Sequence, residues 1–164
     1  MSDNQRTELG LGQDGLARFL IENVTDYAIF MLDAEGRVAT WNTGAERVLG
    51  YEEGQILGRH FSRFFTPEDT RNGKPENELR NATREGRAIT DGWHVRKDGG
   101  RIWCDGATHA LRERHGYVKV MRDLTEKRLA EDRLREIGEQ LRKRTEELEA
   151  ANRRKDEGKS RTPD

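Results

Sequence analysis

Beyond Thr125 leucine returns every seventh residue, at Leu134, Leu141 and Leu148, and most of what lies between is Arg, Lys and Glu. A stretch with so little apolar surface cannot bury a core of its own. It can only be a helix that offers one narrow seam. Ala130, Ile137, Arg144 and Ala151 hold the second core position of the same heptad. The seam is imperfect, because Arg144 is charged and Gly138 costs about 1 kcal/mol of helix propensity. Two readings stand: a parallel dimeric coiled coil seamed by Leu134, Ile137, Leu141 and Leu148, or a solvated single helix held by Glu–Arg pairs. The first is favoured. At 1.5 Å per residue, about 33 helical residues reach roughly 50 Å.

If residues 126–157 are a rod, the core must come from upstream. Apolar residues gather between Leu16 and Leu124, room for one small domain. The expected division is a disordered stretch 1–13, a folded domain 14–125, the coiled-coil helix 126–157 and a disordered tail 158–164. Basic and acidic residues interleave to a net charge of −1, which offers no electrostatic case for nucleic acid or an anionic membrane. The single cysteine, Cys104, cannot close an internal disulfide and fits a reducing compartment. No apolar run approaches the roughly 20 residues that span a bilayer, and the first residues lack a signal peptide's pattern. A cytoplasmic protein is expected.

Within the domain, Leu16, Phe19, Leu20 and Val24 fall on one face of a helix opened by Asp14. Residues 27–32 read as a buried strand, 33–36 as a turn and 37–42 as its hairpin partner. Short helices follow at 44–49, closed by Gly50, at 52–57 and at 59–65, then a longer one at 76–85 ended by Gly86. Three strands, 88–97, 101–112 and 116–122, complete the domain, with Asp98-Gly99 suited to a tight hairpin. The fold class is α+β: a five-stranded antiparallel sheet with short helices on one face, plus the C-terminal coiled-coil helix.

Six motifs carry a family resemblance: Asn23-Val-Thr-Asp26-Tyr-Ala-Ile-Phe30, Asp33-Ala-Glu-Gly-Arg-Val-Ala-Thr-Trp-Asn42, Ala45-Glu-Arg-Val-Leu-Gly-Tyr51, Ile56-Leu-Gly58-Arg59, Val95-Arg-Lys-Asp-Gly-Gly100 and Arg122-Asp123-Leu-Thr125. In that order they resemble the PAS family of sensory domains over about residues 16–125, with a PAC-like part at about 88–128. The following helix resembles the connector of bacterial sensor histidine kinases, hybrid ones included. There, a run like Asn152-Arg-Arg-Lys-Asp-Glu157 precedes the helix bearing the phosphoacceptor His. This chain has no His beyond His115 and no nucleotide-binding motif. Autophosphorylation requires both, so a non-catalytic module is expected.

The resemblance also bears on ligands. Haem-binding relatives carry an axial His on the long helix, but residues 76–85 contain none, and such a haem is disfavoured. Photosensing flavin relatives place a reactive Cys shortly after the equivalent of Gly58-Arg59, and none occurs there. Strand alternation puts Ile102, Cys104, Gly106 and Thr108 on one face, and Trp103, Asp105, Ala107 and His109 on the other. By resemblance the first face looks into a pocket, joined by His94 and Met121. Flavin binders carry amide side chains at the equivalents of His94, Cys104 and Met121. The candidate pocket is Phe30, Trp41, Phe61, Phe65, His94, Cys104 and Met121. A ligand-free packed core is favoured, and a flavin or another small aromatic ligand stays open. His94 reads first as a core histidine with one satisfied hydrogen bond, Cys104 as a small buried hydrophobe. His60, His109 and His115 have no metal-ligand spacing with one another or with Cys104.

On the opposite face Trp93 and Trp103 need a cover. Leu16, Phe19, Leu20 and Val24 supply it, from the same chain or from a second copy, and a homodimer is expected. Asp123 is expected to cap the rod with Glu126 as a capping box, which makes Asp123, Thr125 and Glu126 the signal junction. The functional expectation is a PAS signalling module that dimerises and passes its state into the coiled coil, alone or with a histidine kinase partner. Its rivals are the input fragment of a sensor kinase and a ligand-free dimerisation unit.

Overall fold

The computed structural model describes residues 13–159. A first helix, α1 (Gln13–Asn23), leads into strand β1 (Tyr27–Asp33), whose alternate residues Ala28, Phe30 and Leu32 are buried. Helix α2 (Thr43–Leu49) starts where the Asn42 side chain accepts from the Ala45 N–H, and ends at Gly50. Then come α3 (Glu53–Ile56), a 3-10 turn (Phe61–Phe64), α4 (Pro67–Arg71) and α5 (Lys74–Glu85). Strands β2 (Arg87–Ile89), β3 (Gly92–Val95), β4 (Arg101–Leu111) and β5 (Gly116–Asp123) close the domain. Helix α6 spans Thr125–Lys159.

The sheet is antiparallel, in the order β1-β5-β4-β2, with β3 also paired to β4. It has five strands, but their division differs from the sequence reading. Residues 37–42 form only isolated bridges, Leu32 to Val38 and Arg37 to His60. Their side chains take the place of a ladder: the Ile29 N–H donates to Asn42 Oδ1 at 3.0 Å and the Met31 N–H to Thr40 Oγ1 at 3.0 Å. The fifth strand arises because the segment expected at 88–97 breaks at Thr90–Asp91 into β2 and β3. At the break the Thr90 hydroxyl turns inward and accepts from Lys119 at 3.3 Å. The helix expected at 59–65 is a 3-10 turn over Phe61–Phe64, at whose start the His60 ring accepts the Ser62 N–H.

The core lies between the inner face of the sheet and the short helices. Phe30, Trp41 and Phe64 form its aromatic centre, with ring centroids 5.0 to 5.6 Å apart. Apolar burial of this kind supplies most of a small domain's stability.

The chain divides into two compact units between Thr125 and Glu126. In the second, α6 buries no residue. Leu134, Ile137, Leu141 and Leu148 are 69, 45, 63 and 56% exposed, and pairs such as Arg142–Glu146 at 3.1 Å run along the helix. Helix α6 continues through Gly158 and Lys159, so the two residues expected to open a disordered tail are helical. Residues 1–12 and 160–164 lie outside the described residues.

Candidate functional site

Strand β5 alternates about the sheet, so its residues two apart share a face. Met121 points into the core and is 1% exposed; by the same parity Lys119 points there too, at 0%. A buried ammonium requires compensation. Helix α5 provides it. On that mostly polar helix Pro75, Glu78 and Ala82 form a buried stripe, which brings the Glu78 carboxylate onto Lys119. Lys119 Nζ donates to Glu78 Oε1, to Thr90 Oγ1 at 3.3 Å and to Thr108 Oγ1 at 3.4 Å. The Thr108 hydroxyl donates to the same Glu78 oxygen at 2.5 Å. The rings of Phe65 and Phe61 approach the ammonium at 5.6 and 5.8 Å, favourable cation–π positions. Burial pulls the Lys119 pKa below its ordinary value, and Glu78 opposes that pull.

His94 lies beside this cluster, 1% exposed, its ring 5.3 Å from Phe65. Nδ1 sits 3.1 Å from the Gly92 carbonyl, which can only accept, so Nδ1 carries the proton. Burial, then Lys119, lowers the His94 pKa to about 4, so the ring is neutral at pH 7. Nε2 is therefore a bare acceptor, and it has no hydrogen-bond partner among the described residues. Burial, then Asp123, raises the Cys104 thiol to about 12. It stays protonated and is a poor nucleophile.

All seven candidate pocket residues are buried: Phe30, Phe61, Cys104 and Met121 at 0 or 1%, His94 at 1%, Phe65 at 4% and Trp41 at 9%. They pack on one another as part of the core. Lys119, Glu78 and Thr90 were absent from the sequence reading. Lys119 was within reach of it, because strand parity had already turned Met121 and Thr108 inward.

The junction is built differently from its expected form. Helix α6 begins at Thr125, which places Glu126 at its second position, one residue short of a capping box. Asp123 Oδ1 instead accepts from both the Thr125 N–H, at 2.9 Å, and the Thr125 hydroxyl. That hydroxyl oxygen in turn accepts the Trp103 N–H of β4 at 2.8 Å. Asp123 and Thr125 thus join β5 and β4 at the last residue of the folded unit.

On the outer face Trp93 and Trp103 stand opposite each other in register and meet edge to face at 5.4 Å. Phe19 and Leu20 do not supply that cover within the chain: they are 49 and 55% exposed, and Leu16 is half-buried. Helix α1 is anchored instead by carbonyls at and just beyond its C-terminal end. Asn42 Nδ2 donates to Ile21 O at 3.1 Å and to Val24 O at 3.4 Å, which turns Phe19 and Leu20 to solvent. A depression of about 470 Å³ crosses the same outer face, lined in part by Tyr27, Ile89, Asp105, Val120 and Arg122.

The sequence family described as the PAS fold matches residues 16–124. Two-component system protein A of Emericella nidulans is 45% identical over 117 residues, 70% of this chain and 17% of that protein. The cell-division control histidine kinase PdhS of Brucella ovis is 26% identical over 121 residues, 70% of this chain and 11% of that protein. The chain therefore spans less than a fifth of the length of these curated relatives. Among solved structures, the PAS domain of a protein from Colwellia psychrerythraea superposes with a TM-score of 0.61 at 22% identity, covering 68% of this chain and 97% of that one. A domain of a sensory box sensor histidine kinase/response regulator from Geobacter sulfurreducens gives 0.60 at 20%, covering 68% and 94%.

Proposed function

The chain belongs to the PAS family, and from that premise we propose that it is a dimeric signal-input module of a two-component pathway, passing the state of its core through β5 and the 123–125 junction into α6. The observation that carries the reading is the Trp103–Thr125–Asp123 hydrogen-bond chain. It ties the first residue of the output helix to two sheet strands at once, so a shift of either strand moves the helix start. The relatives whose names include a two-component system or a histidine kinase support the pathway. The exposed leucines of α6 support a second copy as partner. Among the described residues no helix is long and apolar enough to cross a membrane.

The test is sedimentation over a concentration series. The parent should dimerise reversibly. Leu141→Asp, which puts a charge in the seam, should weaken the dimer by at least about tenfold, since each buried Leu contributes about 1.5–3 kcal/mol. Glu147→Gln, off the seam, should leave it unchanged. Equal dimerisation of Leu141→Asp and parent would refute the rod as the dimer element.

A further inference from the structure

In a parallel pair of helices each core position faces its own counterpart, so the seam of α6 resolves into layers. Leu134, Leu141 and Leu148 make apolar layers, and so do Ala130, Ile137 and Ala151. Arg144 breaks the run between Leu141 and Leu148. In a self-pair its side chain enters a hole built, on the second copy, from Leu141, Arg144, Thr145 and Leu148. Two of these are apolar. Thr145 is neutral, its hydroxyl donating to the Leu141 carbonyl of its own helix at 2.9 Å. The fourth is another guanidinium, and like charges set face to face in an interface are unfavourable.

Nothing along α6 neutralises Arg144. Arg142 pairs with Glu146 at 3.1 Å and Arg135 with Asp132 at 3.5 Å. Arg144 has no such ion pair among the described residues, although Glu147 lies three positions further on. Its guanidinium is exposed, and its charge is permanent. The flanking positions that meet across the seam at this level are Gln140 and Thr145, both uncharged. A helix that offered a carboxylate opposite Arg144 would reverse the sign of this one layer and leave the leucine layers as they are. Arginine and carboxylate match in a bidentate pair. A single polar residue at a core position is also how coiled coils discriminate between partners.

We propose that Arg144 makes α6 a partner-selecting rod, fitted to a helix of a second protein that has leucines at the same spacing and a Glu or Asp facing Arg144. The inference rests on the reading of α6 as a pairing helix. It makes the self-pair proposed above the weaker of two associations.

The probe for such a partner is this same chain carrying Arg144→Glu, which has both the leucines and the carboxylate. One chain of each mixture bears a fluorescent label at its N-terminus, so that sedimentation reads self-pairs and mixed pairs separately. Parent mixed with Arg144→Glu should associate at least about tenfold more tightly than either chain with itself. Added salt should shrink that advantage. Arg144→Leu, which restores an apolar layer, should self-associate at least about tenfold more tightly than the parent. Arg142→Glu makes the same change of charge off the seam, and should pair with the parent no more tightly than the parent pairs with itself. A mixture of parent and Arg144→Glu no tighter than the parent alone would overturn the proposal, and the second copy would be the better occupant. An Arg144→Leu chain no tighter than the parent would overturn it too. Failure of the underlying reading has a different signature: Leu141→Asp then associates as the parent does, and the inference falls with it. If Leu141→Asp weakens association while changes at Arg144 do nothing, the rod pairs and only the selectivity assigned to Arg144 is wrong.

Discussion

Replacing Glu78 alone with leucine should do far more damage than replacing Glu78 and Lys119 together. The single change leaves an ammonium that is 0% exposed facing two threonine hydroxyls and two aromatic rings, with its only carboxylate gone. Breaking a buried pair this way costs about 3–5 kcal/mol. Lys119→Met alone leaves the Glu78 carboxylate its Thr108 donor and a small exposed fraction, so it should cost less, about 2–4 kcal/mol. The double variant substitutes two apolar side chains of similar length, and its stability should lie within about 1 kcal/mol of the parent. The coupling energy of the cycle should therefore exceed about 3 kcal/mol. Urea titrations of the four proteins measure it directly. The Glu78→Leu variant has a signature besides its size. With Glu78 gone, the main opposition to the pull of burial on Lys119 is lost, so its folded pKa drops further below 10.5. Between that lowered value and 10.5 the unfolded state binds more protons than the folded one. Stability of Glu78→Leu should therefore rise with pH across this interval, more steeply than that of the parent. Additive single changes, or a variant whose stability is flat in pH, would show that Lys119 is not a buried cation paired with Glu78.

His94 gives a second pH signature: its folded pKa of about 4 lies below the ordinary 6.5, so the unfolded state takes up the proton first. Stability should be whole above pH 6.5 and fall by about 3 kcal/mol as pH drops through that range to 4, at 1.36 kcal/mol per pKa unit; His94→Phe should flatten this part of the urea-midpoint profile. Asn42, 4% exposed, ties Ile21, Val24 and Tyr27 carbonyls to the Ile29 and Ala45 amides. Asn42→Ala should cost about 2–4 kcal/mol and speed hydrogen exchange throughout α1. Thr125→Val removes the acceptor of the Trp103 N–H and one partner of Asp123. It should cost about 1–2 kcal/mol and loosen the first turn of α6, seen as lost amide protection at Trp103 and in the first hydrogen-bonded turn of α6, with the rest of the sheet unaffected.

What could be read without coordinates followed periodicity. The capping box expected at the junction did not form, and which face of β4 looks inward was implied only by the resemblance, but the alternation of β4 was legible because period 2 is a local property. So was the long α5, ended by Gly86. The absent second strand was not, because Thr40 and Asn42 look like ordinary strand residues until their side chains are seen to bond β1. The Lys119 site was missed for a related reason. A lysine in a strand is expected at the surface, and a glutamate on a polar helix gives no sign of burial. Only the meeting of the two, 41 residues apart in sequence, makes either one stable inside. Longer-range polar pairing of this kind has no local signal.

Strand β1 is the edge of the sheet, and an edge with unsatisfied amides invites any extended chain to add on as a further strand. The Asn42 and Thr40 side chains occupy the amides of Ile29 and Met31, and the Asp33 N–H donates to the Arg37 carbonyl. Three donors of that edge are thus already taken from within the molecule. Strand addition there, whether by a peptide ligand or by the first step of amyloid growth, would have to break these bonds first. Asn42→Ala and Thr40→Val should accordingly be more aggregation-prone than their loss of stability alone accounts for, because each uncovers an amide on an otherwise sealed border.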